Sequence, residues 1–329
     1  MKPTILVAGG AGYIGSHIVR LMLQQNDFTP VILDNLSTGH RCSIPEGVAF
    51  EQVDVRDTDK VYDVLVKHKI QAVIHLCAAS LVGESVQKPL KYFDNNCIGA
   101  ISLLEAMEKA GVDKLIFSST AATYGQPDCE KITETTSQEP INPYGRSKLI
   151  IEQMINWLPS LHSIAFRYFN VAGAGLGVGE MHDCETHLIP CLIKCQMAGK
   201  PATIFGDDYK TRDGTCVRDY IHVLDLAEAH LLGLKRLLGN KQAELHEAFN
   251  LGTKNGLSVK EIVQEVQKNL PLDVKMGPRR PGDPDTLVAD STKAEKVLGW
   301  KPQYGVADII ASAIKFHLQE EAALRALEK

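Results

Sequence analysis

The sequence predicts an α/β fold: a doubly wound parallel sheet with a smaller C-terminal α/β domain. Three observations predict it. Short apolar runs alternate with amphipathic stretches of helical length through the first half of the chain. A glycine string joins the first run to the first helix. An aspartate closes the second run, 19 residues after the last of those glycines. Apolar strands separated by helices indicate a sheet covered on both faces, with ligands at the carboxyl ends of its strands.

In chain order, Ile5–Ala8 reads as the first strand and Tyr13–Gln25 as the first helix. Strands Val31–Leu33 and Ala49–Val53 follow, then a helix near Thr58–His68 and strand Ala72–Leu76. A helix over Lys91–Ala110 leads to strand Lys114–Ser119, and a helix over Tyr144–Trp157 to strand Ser163–Tyr168. The second half is less regular, with turn-rich segments at Gly173–Gly179, Gly206–Gly214 and Gly277–Pro284 around apolar runs such as Ala248–Leu251. Such segments indicate functional surface rather than disorder. Ala311–Glu328 reads as a charged amphipathic helix packing by one stripe. The expected division is 1–169 for a cofactor domain, with segments around 215–252 returning to it, and 170–329 mainly for substrate.

Composition fits a globular protein rather than a disordered or fibrous one. The 329 residues are 44% hydrophobic and 23% charged, enough for a large core and a solvated surface. A net charge of −5 offers no basic field for nucleic acid or an anionic membrane. No apolar run is long enough to span a bilayer, and the N-terminus lacks a cleavage pattern, so a cytoplasmic location is expected. The eight cysteines include no CxxC pair and suggest neither a disulfide framework nor a zinc site. Cys191 and Cys195 share a helical spacing with His187, but reduced, partly buried thiols are the expected reading, and no metal is expected.

Val7–Gly15 carries two overlapping patterns. Gly10, Gly12 and Gly15 match G-x-G-x-x-G, and Gly9, Gly12 and Gly15 match G-x-x-G-x-x-G. Glycines there turn the chain tightly and let the backbone approach a pyrophosphate, which the following helix N-terminus attracts. The pattern is that of a Rossmann-type domain. Asp34 can accept from both adenine-ribose hydroxyls and would repel a 2′-phosphate, favouring NAD over NADP; a turn or N-cap aspartate is the other reading. Asp54 and Val55 fall where the adenine ring would lie, although a plain turn aspartate fits the spacing too.

Asn142–Lys148 holds the chain's one Tyr-x-x-x-Lys, Tyr144 and Lys148, one helical turn apart on one face. A phenol is a poor base at neutral pH. A nearby ammonium, together with the charge of an oxidised nicotinamide, favours the phenolate. Strand Ile116–Thr120 ends in three hydroxyl residues, 24 positions before Tyr144, and a hydroxyl there can bond a reacting alcohol and relay its proton. Taken alone, each feature has a plainer reading: an exposed helix pair, or strand termination by turn-forming residues.

With these motifs the sequence resembles the extended short-chain dehydrogenase/reductase family, and within it the UDP-glucose 4-epimerases. The resemblance spans nearly the whole chain. It includes Gly9–His17, Leu33–Gly39, Val82–Val86, Asn142–Lys148 and Arg167–Asn170, and, outside the shared cofactor fold, Gly214–Val223 and Arg279–Asp283. It implies Tyr144 as base, Lys148 on the nicotinamide ribose, and Thr120 on the sugar 4-hydroxyl. It places Gly9, Gly12, Tyr13, Ile14, Gly15, Asp34, Asn35, Asp54, Val55, Asn95 and Tyr168 at the NAD. It places Asn170, His187, Leu188 and Tyr220 at the UDP-sugar, with Arg218 and Arg280 on the pyrophosphate. Asp283 would hold the uridine ribose, and Ile204 and Phe205 would flank the uracil. Without the resemblance, Arg218–Asp219 reads as a surface ion pair and Phe205 as core.

Departures from the family's pattern stand at Leu76–Ser80, at Val171 and at Leu287, the last where a gatekeeper is either tyrosine or a small residue. Leucine is intermediate, so partial tolerance of UDP-N-acetylhexosamines is expected. A homodimer is implied, with Ile150, Ile151, Met154 and Ile155 able to meet a partner or face the sheet. Two other functions stay open: a nucleotide-sugar 4,6-dehydratase or decarboxylase, and a non-enzymatic NAD sensor. Dehydratases usually follow the strand-end threonine with Asp-Glu; here Ala121-Ala122 follows. A sensor would tend to lose the Tyr/Lys pair, which this chain keeps.

Overall fold

A computed structural model of the chain describes residues 2–183, 185–239, 241, 244–280 and 283–327. Its centre is a seven-stranded sheet. The strands are β1 (Thr4–Ala8), β2 (Thr29–Leu33), β3 (Ala49–Glu51), β4 (Ala72–His75), β5 (Lys114–Thr120), β6 (His162–Tyr168) and, from later in the chain, His246–Leu251. All neighbours are parallel, in the order His246–Leu251, β6, β5, β4, β1, β2, β3.

Strand alternation explains why these segments read as continuous apolar runs. Ile5 and Val7 of β1 enter one core with Ile18, Val19 and Met22 of the first helix and Leu226, Leu231 and Leu234 of helix Val223–Leu238. Leu6 and Ala8 enter the opposite core with Val61 and Leu65 of helix Thr58–Lys67, Leu103 and Met107 of helix Gly99–Ala110, and Ile151 and Ile155 of helix Pro143–Ile155. Ile151 and Ile155 therefore face the sheet, not a partner. Ile150 and Met154 pack partly buried on the same cluster.

The chain leaves β6 at Tyr168 and enters a second sheet at β7 (Asn170–Ala172), which runs parallel to β9 (Val217–His222). β8 is Ala202–Phe205, and the sheet strand His246–Leu251 is β10. Strands β11 (Gly256–Ser258) and β13 (Thr286–Leu287) flank β9, while β12 (Val274–Gly277) pairs with β8. A separate core joins Ile189, Leu192 and Ile193 of helix Leu188–Met197 to Ile204, Ile262, Val266, Ile309 and Ile310.

Two expected helices differ. Instead of one helix over Lys91–Ala110, a short helix Pro89–Tyr92 passes into a π-helical turn, Phe93–Ile98, before Gly99–Ala110. That wide turn carries Asn96, whose side chain binds the backbone of Ala79 on both sides (2.8 and 3.0 Å) and donates to Ser147 Oγ at 3.0 Å. At the C-terminus, helix Val306–Lys315 and helix Glu321–Ala326 are separated by a π-helical turn at Phe316–Glu320, where buried Phe316 fills the space beside Gly179. Glu328, Pro281 and Gly282 lie outside the described residues. No helix among the described residues is long and apolar enough to cross a membrane.

Candidate active site

Because the large sheet is parallel, the ends of β1, β2, β5 and β6 open on one edge, and the motifs meet there. In the glycine loop the individual glycines answer to different demands. Gly9 has φ +89°, and a Cβ there would press on the Leu76–Cys77 backbone at 3.0 Å. A Cβ on Gly15 would sit 2.1 Å from Gly9 O. Gly12 is different: its Cβ would meet only Gly9 O, at 3.4 Å. It caps the helix carrying Tyr13 and Ile14 without a side-chain hydrogen bond, which leaves first-turn N–H groups for an anion. Tyr13 bonds away from the loop, donating to Gly173 O at 2.6 Å.

Asp34 ends β2 with only 6% exposure. Its carboxylate accepts from Ala11 N (3.0 Å) and Leu36 N (2.8 Å), so it braces the glycine loop. Burial raises its pKa, and those two amides oppose the rise. Asn35 donates to Asp54 at 2.9 Å, and Arg56 grips Asp54 with Nε and Nη2, both at 2.9 Å, which holds that carboxyl well below its usual range. Val55 is buried and packs against Gly99. Asn95 is partly buried and donates to Asn96 Oδ1 at 3.0 Å. Asn96, which the sequence reading passed over, ties this turn to the loop after β4 and to the catalytic helix; an internal Asn in an expected helix gave no signal of that.

The three hydroxyls ending β5 are sorted by strand alternation. Ser119 points to the far side, where it bonds Glu152, itself paired with Arg167 at 2.6 Å. Ser118 and Thr120 share the other face. Thr120 interacts with the Tyr144 phenol, and Ser118 with Tyr168. Tyr168 in turn bonds His230 Nε2 at 2.6 Å, while His230 Nδ1 contacts Leu226 O at 2.8 Å.

The helix start is built for proximity. Asn142 caps it by accepting from Gly145 N at 2.8 Å, and Pro143 occupies its first turn. Gly145 then packs so tightly that a Cβ would lie 2.4 Å from Ala122 O. Tyr144, one residue before it, therefore sits against the turn that follows Thr120. Lys148, 2% exposed, donates to Ser118 O at 2.7 Å and lies 5.0 Å from the Phe117 ring centroid. An ammonium has three donors, so it retains capacity for ribose hydroxyls.

The electrostatics of the cofactor-free chain bear on the expected phenolate. Burial pushes the Tyr144 phenol above its ordinary value, and the Thr120 hydroxyl opposes this only in part. Burial also pushes Lys148 down to about 8. Burial thus works against the charged form of both groups in the cofactor-free chain.

Beyond β6 the remaining expected residues lie on β7, β8, β9, β13 and the helix and loops beside them. Asn170 is exposed where β7 starts. Arg218, 7% exposed, pairs with Asp283 at 3.0 Å rather than with Asp219. Asp219 is fully buried and accepts from Thr253, Lys254 and Ala289. The Arg280 guanidinium lies 4.3 Å over the Phe205 ring. Ile204 alternates to the opposite side and sits in the core, as does Tyr220, so a side-chain contact to a base falls to Phe205. Leu287 is buried with Ala121, Tyr124, Ile132 and Phe169 at the end of β5. His187 caps helix Leu188–Met197. Tyr209 was not singled out from sequence, yet its buried hydroxyl has no partner and the Arg279 guanidinium covers its ring at 3.9 Å.

Residues 6–313 match the family described as GDP-mannose 4,6 dehydratase. A UDP-glucose 4-epimerase of Lactobacillus helveticus is 51% identical over 322 residues, covering 95% of this chain and 96% of the relative. A UDP-glucose 4-epimerase structure from Brucella ovis in complex with NAD aligns with a TM-score of 0.90 at 43% identity, covering 95% of this chain and 97% of the other. One from Bifidobacterium longum, in complex with NAD+ and UDP, aligns at 0.90 with 37% identity, covering 97% and 99%. The chain belongs to the UDP-glucose 4-epimerase family.

Proposed function

We propose that this chain interconverts UDP-galactose and UDP-glucose, using a bound NAD that is restored in each cycle. The observation that carries the reading is Tyr144 placed beside Thr120 at the end of β5, with Lys148 buried one helical turn behind. The residues fit the cofactor. Gly12 leaves room that no protein atom needs, the helix after it has an uncapped N-terminus, and Asp34 lies at the end of β2. When bound, NAD supplies reversible oxidation at carbon 4 of the sugar.

The chain's own groups do the rest. Tyr144 takes and returns the proton of the 4-hydroxyl, and Thr120 orients that hydroxyl. Lys148 holds the nicotinamide ribose. Arg218, Arg280, Asp283 and Phe205 anchor the nucleotide away from the reacting carbon, which lets the hexose turn without leaving. Asn170, His187 and Leu188 border its path. Fixed guanidinium forks suit the pyrophosphate. The dehydratase reading fails at Ala121 and Ala122, since neither can transfer a proton. Leu287 is smaller than tyrosine, which supports partial use of UDP-N-acetylhexosamines.

The protein acts in the cytoplasm as a homodimer in this reading. Support for the dimer lies on the helices around the π-helical turn, where Val86, Leu90, Ile98 and Ile101 are 61, 80, 50 and 42% exposed. Light scattering at the mass of a monomer would remove the dimer.

The first test is incubation with UDP-galactose and no added cofactor, followed by assay for UDP-glucose. Conversion, abolished by Tyr144→Phe with NAD still retained, is the expected result. No conversion after NAD has been supplied and its binding verified would overturn the assignment of substrate.

A further inference from the structure

In the segment leading into helix Leu188–Met197 lies a cluster of four ligand-type side chains, of which only His187 also borders the sugar's path in the proposed function. Glu180, His182, Glu185 and His187 bring four potential ligand atoms within 4.8 Å of one another. His187 Nδ1 is 2.7 Å from Glu180 Oε1 and 3.1 Å from Glu185 Oε1. His182 Nδ1 is 3.1 Å from Glu180 Oε1 and 3.8 Å from Glu185 Oε2. A tetrahedron with ligands about 2.1 Å from a central ion has edges of about 3.4 Å, which is the scale of these separations.

Two observations separate this cluster from a set of ordinary ion pairs. The carboxylates are almost wholly buried, with side chains 5 and 6% exposed. Among the described residues the only cationic groups paired with them are the two histidines. Nearby cations are committed elsewhere: Lys194 donates to His182 O, and Arg325 to Met181 O and to Glu321. Further, the buried atoms His182 Nδ1 and Glu185 Oε2 face each other with no hydrogen-bond partner. His182 Nδ1 approaches Glu180 closely, yet without the alignment of an N–H donor. Glu185 Oε1 is met by the backbone N–H groups of Thr186 and His187 and by His187 Nδ1, but Oε2 of the same buried carboxylate is met by no donor, and a cation would satisfy it.

We infer that Glu180, His182, Glu185 and His187 form a binding site for one divalent first-row cation of the zinc class. Two imidazole nitrogens and two carboxylates, with no thiolate, suit such an ion, and four protein ligands make a closed, structural site rather than a catalytic one. The cysteines that share a helical spacing with His187 stay out of it; Cys191 instead donates to the Glu185 carbonyl at 3.5 Å. The ion would pin the segment leading into helix Leu188–Met197. No metal is expected from the cysteine spacing around His187, and that expectation did not weigh these four side chains, which stand two and three residues apart in an irregular loop. The cation site shares His187 with the proposed sugar path, so its test reads metal content rather than turnover and alters His182 and Glu185 instead.

The test uses full-length protein purified without a metal-binding tag and stripped with chelator. Titration with zinc should show one bound equivalent and raise the thermal midpoint by about 5 °C at a hundredfold excess over Kd. Cobalt should give the visible bands of a four-coordinate ion without thiolate charge transfer. Glu185→Gln and His182→Gln should each lose the stoichiometric binding. Absence of stoichiometric zinc and cobalt binding by the unaltered protein would overturn the inference, as would one full equivalent retained in both variants. If a variant fails to fold, the cobalt spectrum of the unaltered protein decides: thiolate bands refute the site.

Discussion

Gly145→Ala tests the claim that backbone proximity sets the catalytic geometry. In an ordinary helix this change stabilises by roughly 0.5–1 kcal/mol, because glycine loses more entropy on folding. Here the new Cβ would lie 2.4 Å from Ala122 O and 2.9 Å from Ala122 C, and both are backbone atoms that cannot swing away. Restoring ordinary contact at 3.4 Å needs a shift of about 1 Å between the helix start and the turn after β5. Overpacking of that kind costs about 1–3 kcal/mol, which exceeds the entropic gain, so the net effect is destabilising. Tyr144 is one residue from Gly145, and Ala122 N donates to Thr120 Oγ1 at 3.2 Å, so the displacement separates the two groups proposed to share the sugar hydroxyl. A 1 Å misplacement can cost on the order of 100-fold in rate. Steady-state kinetics on UDP-galactose should therefore show kcat down about 100-fold, KM changed little and NAD retained, with a lower melting temperature. A kcat within twofold of the unaltered enzyme, with the melting temperature unchanged or raised, would refute the reasoning.

Gly12→Ala makes the opposite separation: its Cβ meets only Gly9 O at 3.4 Å, so the cofactor-free fold should melt as before while the purified protein loses its NAD absorbance. Lys148→Met should remove activity yet stabilise the cofactor-free protein. Folding lowers the Lys148 pKa from 10.5 to about 8, so the unfolded chain binds more protons in that window and stability rises with pH across it. At pH 7 the methionine variant should gain up to about 3 kcal/mol in urea melts, and the gain should shrink by pH 10; equal stability at both values would contradict it. Leu287→Tyr should cut turnover of UDP-N-acetylglucosamine at least tenfold with UDP-galactose turnover largely kept. If the unaltered protein cannot use the N-acetylated sugar at all, the gatekeeper reading fails.

How much could be read from the sequence depends on which physical signal a segment carries. Strands β1, β2, β4, β5 and β6 are covered on both faces and write themselves as apolar runs. β9 is buried just as completely, yet it reads Val217-Arg218-Asp219-Tyr220-Ile221-His222, because its polar side chains serve as fasteners. Asp219 alone gathers bonds from Thr253, Lys254 and Ala289, joining three segments distant in sequence. No periodicity announces a strand whose polar residues are satisfied by tertiary contacts. The same limit explains Asn96 and Tyr209, whose positions matter only once the loops they meet are in place.

At the catalytic centre the residue types were legible and their ionisation was not. Tyr-x-x-x-Lys, read together with the charge of an oxidised nicotinamide, suggests a lowered phenol pKa, but the motif carries no information on how far burial opposes it. In the folded chain a single cause, removal from water, raises Tyr144 and lowers Lys148. The site without cofactor thus favours the neutral phenol. An oxidised nicotinamide, positive where the reduced form is neutral, would oppose that preference if bound beside the phenol; in the proposed mechanism it would favour loss of the Tyr144 proton while the sugar is oxidised and its return as the sugar is reduced.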